Sequence, residues 1–287
     1  MKLLVSALAV ASVVVASDGG YFGTSEGIHT NNPPSATITL TLLNDWPQTC
    51  HVYGLDVYEN SGDFYVLGSD NNSGRIRFYD PADGTVTTTY VPYSSGNDGC
   101  FGIAYDNGPD SGSIYTNDWS DNVLYHTENW GSSWTTVSSP GSTQIRGMDF
   151  DGTYYWCTDN TYPKGVWRFQ PGGSQEFFAT PTVTAQPSGL TVFPYNGNLG
   201  IAISCYSLAT MEFYQWDGSA LAHIGSASYP AAIDYDDIFG LAYAATNGHI
   251  YMSYKDYYGG GLHHLTELSF DITSLERSSW GSIKTSF

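Results

Sequence analysis

The chain has 287 residues, with 28 acidic against 9 basic side chains and a formal net charge of −19. So acidic a surface disfavours nucleic acid or an anionic bilayer as a partner and leaves a neutral or cationic ligand, a bound cation or plain solvation. Twenty-three Tyr, 32 Gly and 8 Trp beside few basic residues favour strands and tight turns over helices.

Residues 1–17 read MKLLVSALAVASVVVAS. Lys2 precedes an apolar run from Leu3 to Val15, and small residues follow, which is the pattern of a secretory signal peptide. The run is short for a bilayer span and lacks positive charge at its far end. No later stretch is apolar enough to cross, so the mature chain is expected to be secreted or held at the cell surface, with the periplasm as the alternative. Residues 18–35 (DGGYFGTSEGIHTNNPPS) form a flexible lead-in, 36–272 a repeat domain, and 273–287 a C-terminal tail.

Within the repeat domain a short motif recurs: Gly, two residues of which the first is apolar, then an apolar residue. Its glycines are Gly54, Gly102, Gly147, Gly189 and Gly240, spaced 42 to 51 residues apart. After each comes a second apolar run (64–70, 113–118, 154–159, 199–205, 250–256) and a third (75–80, 123–126, 166–170, 211–215, 265–270). A fourth run closes the first four units (85–91, 134–137, 175–179, 220–224). Alternation and β-branched or aromatic content mark these runs as strands. Four strands every 42–51 residues is the period of a propeller blade. The fifth unit lacks its fourth strand, and residues 37–43 (TITLTLL) are the natural donor, closing the ring and removing a sheet edge. The expected fold is an all-β, five-bladed β-propeller of four-stranded antiparallel blades.

Segment 53–84 (YGLDVYENSGDFYVLGSDNNSGRIRFYDPADG) resembles the repeat of NHL-type and lactonase-like propellers. Thr127-Glu-Asn129-Trp-Gly131-Ser-Ser-Trp134 resembles the Asp box of sialidase-like propellers and falls between the third and fourth strands of its blade. That box implies a turn-stabilising element remote from the binding mouth. The lactonase-like resemblance implies that a metal can sit at the mouth, where carboxylates and carbonyls could hold Ca²⁺, although no single loop has a dense calcium spacing.

In a propeller, the loops joining strand two to strand three share one face with the segments leading into each first strand. Those loops carry Asp70, Asp118, Asp159 and Asp256, with Trp119, Tyr162, Tyr206 and Tyr257 beside them; His51, Asp98, Gln144, Arg146, Gln186 and Asp237 precede the glycines. Rings stack on sugar C–H faces while carboxylates and amides meet hydroxyls. Asp70, Asp118, Trp119, Asp159, Tyr162, Arg146, Tyr206, Asp256 and Tyr257 are therefore the candidate ligand-binding set, and the recurring Asp equally suits turn capping. Catalytic residues are less apparent. Asp56 and Asp149 occupy matching inner-strand positions and could act as paired carboxylates, but no inner-strand Glu joins them and no hydrolase motif is present. Cys50 and Cys100 precede neighbouring inner strands, and Cys157 and Cys205 lie in neighbouring second strands; each pair could bridge or remain as thiols. Trp280, Ile283 and Phe287 have helical spacing in the tail.

These readings favour a secreted, non-catalytic propeller that binds a glycan or small polar ligand at the channel mouth. The alternatives are a metal-assisted, lactonase-like hydrolase using the acidic ring, and a scaffold for another extracellular protein.

Overall fold

The computed structural model describes residues 36–60, 62–89, 101–106, 113–117, 123–141, 144–234, 237–257 and 259–273. The expected strand runs become twenty strands in five four-stranded sheets. Blade 1 holds β2 (Val52–Asn60), β3 (Asp63–Asp70), β4 (Arg75–Tyr79) and β5 (Val86–Thr89); blade 2 holds β6 (Ile103–Asp106), β7 (Ser113–Asn117), β8 (Val123–Thr127) and β9 (Thr135–Ser138). Blade 3 is β10 (Ile145–Phe150), β11 (Tyr155–Asp159), β12 (Gly165–Phe169) and β13 (Gln175–Ala179), and blade 4 is β14 (Pro187–Tyr195), β15 (Asn198–Cys205), β16 (Thr210–Trp216) and β17 (Leu221–Ser228). Blade 5 runs β18 (Ile238–Ala244), β19 (His249–Asp256) and β20 (Leu262–Thr273), and β1 (Thr37–Gln48) pairs antiparallel with β20 to complete it. The ring thus closes through the N-terminal strand, whose Ile38 and Leu40 are buried between blades 4 and 5. No helix among the described residues is long and apolar enough to cross a membrane.

The five motif glycines meet around the axis. A Cβ on Gly54 would fall within 3.0 Å of Gly102; on Gly102, of the Arg146 carbonyl; on Gly147, of Gly189 and Leu190. A Cβ on Gly189 would likewise strike Gly240 and Leu241, and one on Gly240 would strike Tyr53 and Gly54, so each glycine admits the backbone of the next blade. The tight approach displaces the ladder locally. Registers slip between Val52 and Leu55, Ile145 and Met148, Pro187 and Gly189, and Ile238 and Leu241. Side chains from the second strands take over the freed backbone groups. Gly54, Gly189 and Gly240 N–H groups donate to Ser69, Ser204 and Ser253 hydroxyls at 2.8, 3.0 and 2.8 Å, and Gly102 N–H donates to Asn117 Oδ1 at 2.7 Å. Several of these side chains then donate onward to the next blade: Ser69 to the Phe101 carbonyl (3.0 Å), Asn117 to that of Ile145 (2.6 Å) and Ser253 to that of Tyr53.

Segment 127–134 forms a tight turn between β8 and β9. Thr127 Oγ1 accepts from Gly131 N–H at 2.9 Å, and Asn129 Oδ1 accepts from Ser133 N–H at 3.0 Å. Trp130 stacks on Tyr105 (centroids 5.5 Å apart). Cys157 and Cys205 are buried free thiols, and Cys50 is a half-buried one whose Sγ lies 3.2 Å from the Tyr79 hydroxyl. No bridge joins Cys157 to Cys205 because they sit in different inter-blade layers, Cys157 against Tyr155 and Phe169, Cys205 against Trp156 and Tyr214. Cys100 and the tail residues Trp280, Ile283 and Phe287 lie outside the described residues.

Two stability measurements follow from this arrangement. Gly102→Ala forces a methyl against the Arg146 carbonyl and should cost about 1–3 kcal/mol or more in urea unfolding; a loss near zero would mean that the blades can part at the axis. Reducing agent should leave the melting temperature unchanged, and a drop on reduction would contradict the free-thiol assignment.

Candidate active site

The repeat sorts the polar residues toward the two ends of the propeller axis, where two separate cavities open. At the end where strand two turns into strand three, the residues before the motif glycines are Tyr53, Phe101, Arg146, Ser188 and Phe239, of which Tyr53, Phe101 and Arg146 line a cavity. The residue three before the glycine anchors the neighbouring loop through its carbonyl. His51 accepts from Asn71 N–H (3.0 Å), Gln144 from Asn160 (3.1 Å), Gln186 from Tyr206 (2.9 Å) and Asp237 from Lys255 (2.9 Å). These equivalent bonds hold different side chains at equivalent places.

A cavity of about 290 Å³ opens here, lined by Tyr53, Asn71, Phe101, Arg146, Gln186 and Tyr206. Arg146 is only 2 % exposed, and its guanidinium lies 4.8 Å over the Phe101 ring. Burial lowers its proton affinity, and the nearby Tyr206 works against that. Tyr53 stacks on Phe239 at 4.0 Å and meets Phe101 edge-on at 5.1 Å, while Tyr206 meets Phe239 edge-on at 5.3 Å. Burial, the Tyr53 hydroxyl and the Asp237 carboxylate raise Tyr206 well above the ordinary phenol range, so it stays a protonated donor. Tyr53 is raised by burial and by Asp237, and the Asp237 carboxylate also hydrogen-bonds the Tyr257 hydroxyl. Behind the wall, His263 stacks on His51 at 4.6 Å, and burial followed by His51 pushes it down to about 4.

The sequence-derived set divides on this map. Arg146 and Tyr206 line one cavity, and Tyr257 stands at its rim through Asp237. Tyr162 is 92 % exposed and faces solvent. Each described loop aspartate binds within its own blade. Asp70 accepts from Arg77 Nη2 (2.6 Å) and Ser73 Oγ (2.7 Å); burial opposes its ionisation, yet these partners hold it below the usual carboxylate range. Asp159 accepts from Trp167 Nε1 (2.8 Å) and Thr161 N–H (2.7 Å), and Asp256 from Gly259 N–H (2.5 Å). This is turn capping. Asp118 and Trp119 lie outside the described residues. No three His, Cys, Asp or Glu side chains among the described residues form a set able to hold a metal ion. Tyr53, Phe101 and Asn71 escaped sequence reasoning, the two rings because an aromatic beside an inner-strand glycine reads as core. The signal that could have found them was the substitution of Arg146 at the same repeat position.

The opposite end holds a larger cavity of about 710 Å³, whose lining includes Asp56, Asp149, Arg168, Tyr154 and Trp216. Asp56 accepts from the backbone N–H of Val57 and of Tyr105 in the next blade. Asp149 accepts from Phe150 N–H (2.6 Å) and, across to blade 4, from Thr191 Oγ1 and Val192 N–H (both 2.7 Å). Both carboxylates thus join blades. Burial is the main cause that raises Asp149 to about 6, against the pull of its hydrogen bonds, and burial plus the Asp149 charge raises Asp56.

With the geometry described, the class is plain: a five-bladed propeller with a polar axial pocket. No protein-family model and no curated protein sequence matches the chain. Among solved structures it is similar to the glutaminyl cyclase of Myxococcus xanthus, at 14 % identity and TM-score 0.61, over 83 % of this chain and 99 % of that one. It is also similar to the PQQ-bound aldose sugar dehydrogenase of Streptomyces coelicolor (14 %, TM-score 0.52, 83 % and 100 % covered). A gluconolactonase of Xanthomonas campestris has 16 % identity, TM-score 0.52, and 84 % and 95 % covered. These neighbours are enzymes, which corrects the expectation of a non-catalytic recognition protein. At such identities the likeness establishes the fold alone and leaves the reaction to the site.

Acid–base linkage gives a test of the far-end pair. Between about 3.8 and 6 the folded chain keeps a proton on Asp149 that the unfolded chain has released, so this contribution is present below that window and lost as pH rises through it. His263, neutral in the fold down to about 4, has the opposite slope, so the difference between wild type and Asp149→Asn is the quantity to read. That difference in melting temperature should move against the wild type as pH rises from 4 to about 6.5. A difference independent of pH would reject the assignment.

Proposed function

We propose that the protein is an enzyme that carries out proton-transfer chemistry at a carbonyl group in the axial mouth. The observation that carries this reading is the meeting in the wall of one small cavity of a buried cation, Arg146, and a phenol held protonated, Tyr206, with the Asp237 carboxylate near enough to raise both Tyr53 and Tyr206. Asp237 would accept a proton from an attacking water and return it to the leaving oxygen or nitrogen as the acyl bond breaks, leaving the carboxylic acid and the alcohol or amine. The Tyr206 hydroxyl would donate to the oxyanion as the carbonyl is attacked, in a pocket whose low polarity strengthens that bond. Arg146 keeps the floor electropositive. The enzymatic identity of the similar structures supports a catalytic role, and an ester, lactone or amide is the substrate type these groups suit. The mouth is preferred over the far-end cavity because Asp56 and Asp149 are committed to backbone bonds between blades, whereas the mouth residues vary from blade to blade at equivalent positions. The apolar leader at residues 3–15 and the NHL-type and Asp-box resemblances support an exported propeller.

A panel of small esters, lactones and amides tests the reading by product release. Asp237→Asn should lower kcat about 10²- to 10⁴-fold, and Tyr206→Phe about 10²- to 10³-fold, without a matching loss of melting temperature. Turnover indifferent to Asp237→Asn, or no turnover across the panel, would overturn it.

A further inference from the structure

Five residues precede the motif glycines at equivalent places in the repeat, and three of them, Tyr53, Phe101 and Arg146, line the mouth cavity. Four are uncharged, Tyr53, Phe101, Ser188 and Phe239; the fifth is Arg146. A long cationic side chain thus occupies a place that the repeat otherwise gives to a ring or a hydroxyl. It is buried to 2 % exposure and still lines the cavity. The site is therefore built into the axis of the fold and is not a surface charge that happens to lie near a groove.

We infer that the mouth binds a small carboxylate whose anionic head meets Arg146 and whose compact apolar body lies between the rings of Tyr53, Phe101 and Tyr206. This rests on the mouth being the active site and adds the class of substrate: an acid carrying its reactive carbonyl near its carboxylate.

Three observations lead to that chemistry. A guanidinium offers a planar fork that matches a planar carboxylate with two parallel hydrogen bonds. A phosphate dianion would call for more positive charge than Arg146, the one cation among the described residues that line this cavity. The chain as a whole carries −19, so its long-range field repels anions and binding must come from the local contact. Arg146, being buried, is screened little by salt. The volume of about 290 Å³ stands at the small end of ligand pockets and admits one small acid with its body against the aromatic wall. Gln186 and Asn71, the remaining lining residues, supply amides that can meet a second polar group on the same molecule.

The test is calorimetric titration of the full chain with benzoate, its neutral isostere benzamide, and inorganic phosphate, at about 0.15 M salt. Benzoate should bind about 10- to 100-fold more tightly than benzamide, the range expected for hydrogen bonds to a charged group, and more tightly than phosphate. Arg146→Gln should remove that preference, and Arg146→Lys, which keeps the charge but loses the fork, should retain part of it. Equal affinity for benzoate and benzamide, no binding of either, or unchanged benzoate binding in Arg146→Gln would each overturn the inference; phosphate binding ahead of benzoate would reject the carboxylate assignment. Should Arg146→Gln fail to fold, the wild-type comparison of the two isosteres decides alone. Because no turnover is read, the outcomes separate. Benzoate bound at Arg146 without catalysis on any substrate would sink only the enzymatic reading, and catalysis dependent on Asp237 without benzoate binding would sink only this inference.

Discussion

The closeness of backbones at the axis is the constraint on which the rest of the molecule depends. Five inner strands can converge only if each lacks a side chain where it meets the next, and the motif glycines supply that. The same convergence breaks the regular ladder beside four of the five glycines, Gly54, Gly147, Gly189 and Gly240. Buried N–H and carbonyl groups must then find other partners. Ser69, Asn117, Ser204 and Ser253, on the second strands, provide partners at four of the five glycines. The ring is thus held by short polar links at its centre and by layers of apolar side chains between blades farther out.

Polarity along the axis follows from that arrangement. Toward one end the inner strands carry Asp56 and Asp149, each joined to backbone groups of the next blade. Burial makes these carboxylates costly to ionise, and their N–H and hydroxyl partners offset part of the cost. Toward the other end the strands begin, and the residues beside the glycines change from blade to blade. There Tyr53, Phe101, Arg146 and Tyr206 line a cavity that combines a cation with phenols, and the Asp237 carboxylate acts on both phenols from nearby. The chemistry of the protein is concentrated where its internal symmetry breaks.

Much of the fold was legible in the sequence, because its signals are local. A glycine followed by alternating apolar residues marks an inner strand wherever it occurs, and a fifth unit one strand short called for the TITLTLL segment, which β1 supplies. The site was legible only in part. Arg146 and Tyr206 stood out by residue type and position. The loop aspartates Asp70 and Asp159 satisfy a ligand pattern and a capping pattern equally well on paper. Only their bonds to Arg77 and Trp167 resolve the two. Tyr53 and Phe101 read as core because an aromatic beside a buried glycine is ordinary; that these rings face a cavity depends on four other blades.

By itself, the sequence determined the number of blades, the strand that closes the ring and the end of the channel where residues diverge, since all three rest on periodicity and near-neighbour pattern. The tertiary structure alone decided which thiols stay apart, which carboxylates bind backbone, and how deeply Arg146 sits among the rings. Those outcomes turn on the direction and burial of side chains from segments 40 or more residues apart, and on differences of an ångström in register that a linear pattern does not carry.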